Sequence, residues 1–227
     1  MGRWRGRRGG GRFDFFWNEA SSTTGQVRDR ALLNGNDQRR VASIAATGFG
    51  LTGLCIGESR GYGKAAAIRD RVRQTLRFLK VRLPNEHDFF YHFIDIETGE
   101  RVWNCELSSI DSSLLLCGVL TARQHFNDAE IQGLASAIYE RVDWPWMLNG
   151  VETFSMGWKP QDGFLRSRWE HYCELMMIYL LAIGFAYAFC SERNVEGMDT
   201  SYCEVSGIRI YFRPRSTVYS SVLARVV

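Results

Sequence analysis

No C-x-x-C pair occurs among the six cysteines of this chain (Cys55, Cys105, Cys117, Cys173, Cys190 and Cys203), and no histidine stands at zinc-ligand spacing from them. A structural zinc site therefore has no support, no other metal or cofactor is called for, and nothing in the spacing demands a disulfide. A Ser/His/Asp constellation and a phosphate-binding glycine loop are missing as well, which removes the commonest hydrolase and nucleotide signatures. There is no basic face either. The formal net charge is +3, but five arginines crowd the run Gly2-Arg3-Trp4-Arg5-Gly6-Arg7-Arg8-Gly9-Gly10-Gly11-Arg12, and beyond it acids and bases nearly balance. Residues 1–12 read as a disordered Gly/Arg-rich tail, and no nucleic-acid partner is expected. An RNA-binding arm is the competing reading of that tail. No apolar run follows the arginines, so no signal peptide is visible. The apolar stretch 175–190 falls short of the roughly 20 residues a membrane span needs, and no membrane partner is expected. No fixed-period repeat is present.

What the 227 residues do contain is 45% apolar side chains, enough for a real core. From Phe13 to Gly184 the pattern is helix after helix. Phe13-Asp14-Phe15-Phe16-Trp17 begins a short aromatic helix. Residues 41–56 are apolar and spotted with glycine, so they predict a buried helix whose glycines at 48, 50 and 53 permit close packing. Residues 64–80 are amphipathic, with Ala67, Val72, Leu76 and Leu79 near helical spacing. The period then changes: residues 89–95 and 101–105 flank Glu97-Thr98-Gly99-Glu100, which predicts a β-hairpin. Helices resume at 108–123, with Ser or Asp as N-cap, and at 128–142. An aromatic, glycine-rich connection spans 143–163, and 168–183 reads as the last helix. The fold class is thus all-α with one β-hairpin insertion. Paired helices with long aromatic connections suggest an α/α toroid, with its function in the loops of one rim.

Three clusters could carry chemistry. Trp103 to Asp111 sets Glu106 and Asp111 between a hairpin end and a helix start, where Asp111 would otherwise serve as a first-turn residue. Asp143-Trp144-Pro145-Trp146-Met147 and Met156-Gly157-Trp158-Lys159-Pro160 gather three tryptophans, which either fill a core or form a platform for sugar rings. In Arg168 to Glu174, Glu170 and Glu174 would share a helix face. The apolar residues after Glu174 place it at a buried helix end, where a carboxyl holds its proton more tightly, as a general acid requires. His171 reads as a hydrogen-bonded bystander.

Several segments resemble the bacterial glucoamylase-like glycoside hydrolases, a family that includes endo-β-1,2-glucanases. They are TGQVRDRA at 24–31, ASIAATGFGLTGLCIG at 42–57, FFYHFIDIETGERVWNCELSSIDSSLLLCGVLTARQHF at 89–126, RVDWPWMLNG at 141–150 and SMGWKPQDGFLRSRWEHYCELMMIYLLAIG at 155–184. The resemblance implies that residues 13–184 are the front half of an (α/α)6 barrel acting on β-linked glucan by inverting, two-carboxylate hydrolysis. It makes Asp111 and Glu174 the catalytic carboxylates. Glu106, Trp144, Trp146, Trp158, Lys159 and Glu170 would line the cleft. Its implied partner is an oligo- or polysaccharide, and it leaves the oligomeric state open. Family members are usually periplasmic or secreted.

The resemblance stops after Gly184. Read one base later in each codon, residues 185–188 permit SPTH and residues 208–226 permit YEYISGPDPLFIHQYSHAW, both close to text with which the family continues. Residues 185–227 are therefore expected to be a frameshifted tail without periodicity. A half barrel would leave apolar helix faces unpartnered, so the chain is expected to aggregate or stay partly molten and to be inactive. A non-catalytic carbohydrate-binding helical module, or a glucan phosphorylase or transferase relative, is the alternative.

Overall fold

The computed structural model describes residues 10–32, 37–170, 174–192, 202–205 and 208–211. Helices dominate: α1 (Gly10–Asn18), α2 (Ile44–Arg60), α3 (Ala65–Val81), α4 (Ser109–His125), α5 (Ala129–Tyr139), the short α6 (Trp144–Leu148) and α7 (Met176–Glu192). The α1 helix takes in residues 10–12, so the N-terminal tail expected to be disordered is helical at its end. Its residues 1–9 lie outside the described residues.

The strands are very short: β1 (Val41–Ser43), β2 (Asn85–Glu86), β3 (Phe89–Phe90), β4 (Phe93–Asp95), β5 (Leu107–Ser108), β6 (Gly157–Lys159), β7 (Gly163–Phe164), β8 (Tyr202–Val205) and β9 (Ile208–Tyr211). They pair antiparallel as β1–β4, β2–β3, β5–β6–β7 and β8–β9. This corrects the expectation of one hairpin insertion in an all-α chain. The anticipated hairpin is present but short: Ile94 bridges Arg101, Asp95 N–H donates to Glu100 O (2.7 Å) and Val102 N–H donates to Phe93 O (3.1 Å). Asp95 Oδ1 accepts from the backbone N–H of Glu97 and Thr98, each at 2.9 Å, closing the turn early. The other edge of β4 pairs with β1.

The core forms along the contact between α2 and α4. Gly48 and Gly118 face each other there. A Cβ on Gly48 would stand 2.7 Å from Leu115 Cα, and one on Gly118 would stand 2.7 Å from Gly48 Cα. Glycine lets the two backbones touch, which bears out close packing as the reason for a glycine-spotted helix. Leu51, Leu54, Leu115, Leu116 and Val119 are buried around that contact. Behind it α3 packs on α5, burying Ile68, Val72, Leu76 and Leu79, while Ala67 faces solvent. On its far side α4 meets α7. The described residues thus bury one continuous core. Among the helical residues whose burial is described, large apolar exposure is confined to Phe49 and Ile56 on α2, Val81 at the end of α3, and Met176 and Leu180 on α7.

The last helix differs from expectation at both ends. It begins at Met176 rather than 168, because Arg168 and Trp169 are engaged elsewhere. Ser155 bridges Arg168, Trp169 N–H donates to Phe154 O (3.0 Å), and the Arg168 guanidinium donates to Leu148 O (3.1 Å). Beyond Gly184 the helix continues to Glu192, and the β8–β9 pair lies beside it, so periodic structure does extend into 185–211. Residues 193–201, 206–207 and 212–227 of the expected frameshifted tail lie outside the described residues. No helix among the described residues is long and apolar enough to cross a membrane.

Candidate active site

The starts of α2, α4 and α7 are laced together by short strands and loops. Ile44 N–H, opening α2, donates to His92 O (3.2 Å), and His92 N–H donates to Glu106 O (3.0 Å), just before β5 and α4. Trp169 Nε1 donates to Ser109 Oγ (2.9 Å) in the first turn of α4. Tyr179 Oη, in the first turn of α7, donates to Trp169 O (3.2 Å). Helix N-termini carry partial positive charge, so carboxylates gathered at this rim are stabilised.

Ser108 caps α4: its Oγ accepts from Asp111 N–H (3.2 Å) and donates to Asp111 Oδ2 (2.5 Å). The cap therefore holds the Asp111 carboxylate in place and leaves Oδ1 free to face His92. His92 Nε2 lies 3.5 Å from Asp111 Oδ1, and Nδ1 lies 3.2 Å from Glu106 Oε1. One imidazole thus bridges two carboxylates, both largely buried. Burial opposes the imidazolium, but the hydrogen bond to Glu106 and the charges of Asp111 and Glu106 outweigh it, so His92 titrates above its ordinary value. The His92 hydrogen bond lowers Glu106 below the usual carboxylate range against the cost of burial, with Lys159 adding a smaller push.

Trp158 and Lys159 join this group through β6, since Leu107 pairs with Trp158 and Ser108 with Gly157. Glycine at 157 is needed for that approach: a Cβ there would stand 2.8 Å from Glu106 Cγ. Trp146 lies against Trp158 (centroids 5.7 Å) and Phe164 (4.9 Å), while His87 stacks on it at 4.4 Å. Trp146, Trp158 and Phe164 are partly buried, whereas His87 is exposed.

Two expectations require correction. Trp144 does not line a cleft. It is fully buried between the edges of Phe89 (5.6 Å) and Phe154 (6.1 Å), because the Asp143 cap turns it inward at the start of α6. Glu170 and Glu174 do not share a helix face. Both precede α7 and are exposed, and residues 171–173 between them, including His171, lie outside the described residues. The desolvated setting expected for Glu174 is absent.

Sequence reasoning missed His92. It was legible only as one residue of an aromatic strand, and its partners are 14 and 19 positions away. Trp169, which ties the Glu170 segment to α4, was missed for the same reason.

No family model matches this chain. In sequence it is 26% identical over 199 residues to the exo β-1,2-glucooligosaccharide sophorohydrolase (non-reducing end) of Parabacteroides distasonis, covering 82% of this chain and 27% of that protein. In structure it resembles an endo-β-1,2-glucanase from Chitinophaga pinensis, with a TM-score of 0.71 and 22% identity over 89% of this chain and 53% of that one. A β-1,2-glucanase from Parabacteroides distasonis gives 0.68 and 24%, over 77% of this chain and 26% of that one. The chain thus spans from about a quarter to about half the length of these relatives. With the helical core and these likenesses in hand, the chain shares the fold of these glucanase structures and is similar in sequence to a β-1,2-glucooligosaccharide hydrolase.

Proposed function

We propose that this chain forms part of an (α/α)6 barrel whose cleft binds and hydrolyses β-1,2-linked glucan with inversion at the anomeric carbon. The observation that carries the reading is the Asp111 carboxylate, capped by Ser108 at the start of α4 and aimed at His92. Asp111 and Glu174 are the catalytic pair in this reading. Its support is their placement at the starts of adjacent helices, joined through Ser109, Trp169 and Tyr179. An exposed second carboxylate across a gap suits inversion, in which a water occupies the space between carboxyls about 6.5–9.5 Å apart. One carboxyl protonates the leaving oxygen, and the other takes a proton from the attacking water. Glu106, held ionised beside His92, lines the cleft with Trp146, Trp158, Lys159 and Glu170, and the indole faces stack on the C–H faces of sugar rings.

The test is reducing-end release from linear β-1,2-glucan, with the product anomer followed by NMR. The reading expects Asp111→Asn to abolish release while glucan binding persists, and the first product to be the α-anomer. Because the chain spans about half the length of the Chitinophaga structure, the 227 residues alone are expected to bind glucan without turnover, and release is read from a chain extended by the rest of the barrel. Binding that Asp111→Asn leaves unchanged, with no hydrolysis under any condition, would instead mark a carbohydrate-binding module. A first product of β configuration would refute inversion.

A further inference from the structure

Trp103 has no place in the cleft described above, and its setting is unusual. The residue is 67% exposed, by a wide margin the most exposed tryptophan among the described residues. It also has a backbone φ of 58°, followed by 49° at Asn104. Cys105 N–H donates to Val102 O (3.2 Å), so Trp103 and Asn104 are the central pair of a tight turn with both residues left-handed. Such turns favour Asn-Gly, and a bulky residue at the first position is strained. An indole left mostly exposed there gains little burial in return for that strain.

The turn is nonetheless rigidly held. Phe93 N–H donates to Cys105 Sγ (3.3 Å), Cys105 Sγ donates to Phe93 O (3.2 Å), and Arg101 Nε donates to Cys105 O (2.6 Å). The indole meets the Phe93 ring at 5.2 Å, inclined by 64°, and Phe93 in turn stacks on His92 at 3.8 Å. Trp103 therefore stands one aromatic ring from the imidazole that bridges Glu106 and Asp111. Its free indole surface faces solvent beside the amide of Asn104, which is also exposed.

We infer that Trp103 is a sugar-stacking platform that positions a glucan residue next to the one held at the carboxylates. The inference rests on the glucan reading and adds to it a specific binding residue. Stacking on an indole uses the C–H face of a pyranose and tolerates any hydroxyl pattern, while Asn104 supplies donors and acceptors for the hydroxyls. A fixed turn holds the indole in its bound orientation beforehand, so little rotamer entropy is lost on binding.

The experiment is a titration of the 227-residue chain with sophorotriose and with linear β-1,2-glucan, read by tryptophan fluorescence and by affinity electrophoresis. Trp103→Ala should weaken binding at least tenfold, and Trp103→Phe, which keeps an aromatic face, by a smaller factor. Trp103→Gly should bind as poorly as Trp103→Ala while its melting temperature stays equal to or rises above that of the parent, because glycine relieves the left-handed strain. A residue present only to shape the turn would show the reverse: unchanged affinity in the glycine variant. If the parent binds these glucans and Trp103→Ala binds equally well, the platform is refuted and the glucan reading stands. If the parent binds neither glucan, the glucan reading fails and the platform fails with it.

Discussion

Gly118→Ala adds one methyl group, yet it should be among the most damaging single changes in this chain. A Cβ at 118 would sit 2.7 Å from Gly48 Cα and closer still to Gly48 O, whereas ordinary contacts begin near 3.4 Å. Both obstacles are backbone, so no side chain can swing aside; α2 and α4 must separate by more than half an ångström. A gap of about 0.5–1 Å forfeits a quarter to a half of each dispersion contact across it. The contacts at stake include Leu51, Leu54, Leu115 and Val119, all buried. Overpacking of this kind costs about 1–3 kcal/mol, and a rigid backbone obstacle puts it at the upper end. Against a net stability of about 5–15 kcal/mol that is a large share, equivalent to a fall in melting temperature of roughly 6–12 °C for a chain of this size.

Gly133→Ala is the matched control. Gly133 lies inside α5, and a Cβ there would meet nothing within 4 Å. The same substitution should therefore stabilise by about 0.5–1 kcal/mol through helix propensity alone. The assay is urea unfolding of the two variants and the parent, followed by far-ultraviolet circular dichroism. A Gly118→Ala midpoint equal to the parent's, or a Gly133→Ala loss as large as that of Gly118→Ala, would refute the close-packing account.

Two further outcomes follow from charge and burial. His92 is raised, so its stabilising contribution is complete below the unfolded histidine value near 6.5 and is lost as pH rises through its folded value. Glu106 is lowered, so its contribution is complete above the unfolded glutamate value and is lost as pH falls through its folded value. Melting temperature should therefore show a maximum in the mildly acidic range that His92→Asn flattens on both sides; a parent profile superimposable on that of His92→Asn would remove the pair from the account. Burial pushes the Cys55 thiol up to about 12. At about pH 8 iodoacetamide should leave Cys55 unmodified in the native chain and label it after denaturation, as peptide mass mapping would show; rapid native labelling would contradict the packing of α2.

The lines of the fold that depend on neighbours in sequence were legible without coordinates. Ser108 and Asp128 cap the helices they were expected to cap, because a cap hydrogen bond spans only three residues. The repeated glycines of α2 announced a close approach, since each costs helix stability that close packing can offset. One correction has a tertiary cause. Arg168 and Trp169, expected to open the last helix, are held by Phe154, Ser155 and Leu148, which lie well before them in sequence. There, tertiary hydrogen bonds overrode a local preference. The hairpin strand 93–95 kept its partner across the turn and gained 41–43 on its other edge, a pairing that no local pattern announces.

For the site, the sequence by itself determined which residue types were present: a capped aspartate, a glutamate five residues before it, and a group of tryptophans. The tertiary structure decided which of these face one another. It buried Trp144 and left Trp146 and Trp158 at the surface of the core, a choice set by side-chain packing that three similar residues cannot reveal in one dimension. It also placed His92 between Glu106 and Asp111. An imidazole bridges two carboxylates only when strand pairing brings residue 92 beside residue 106, and that pairing is a property of the folded chain rather than of any segment within it.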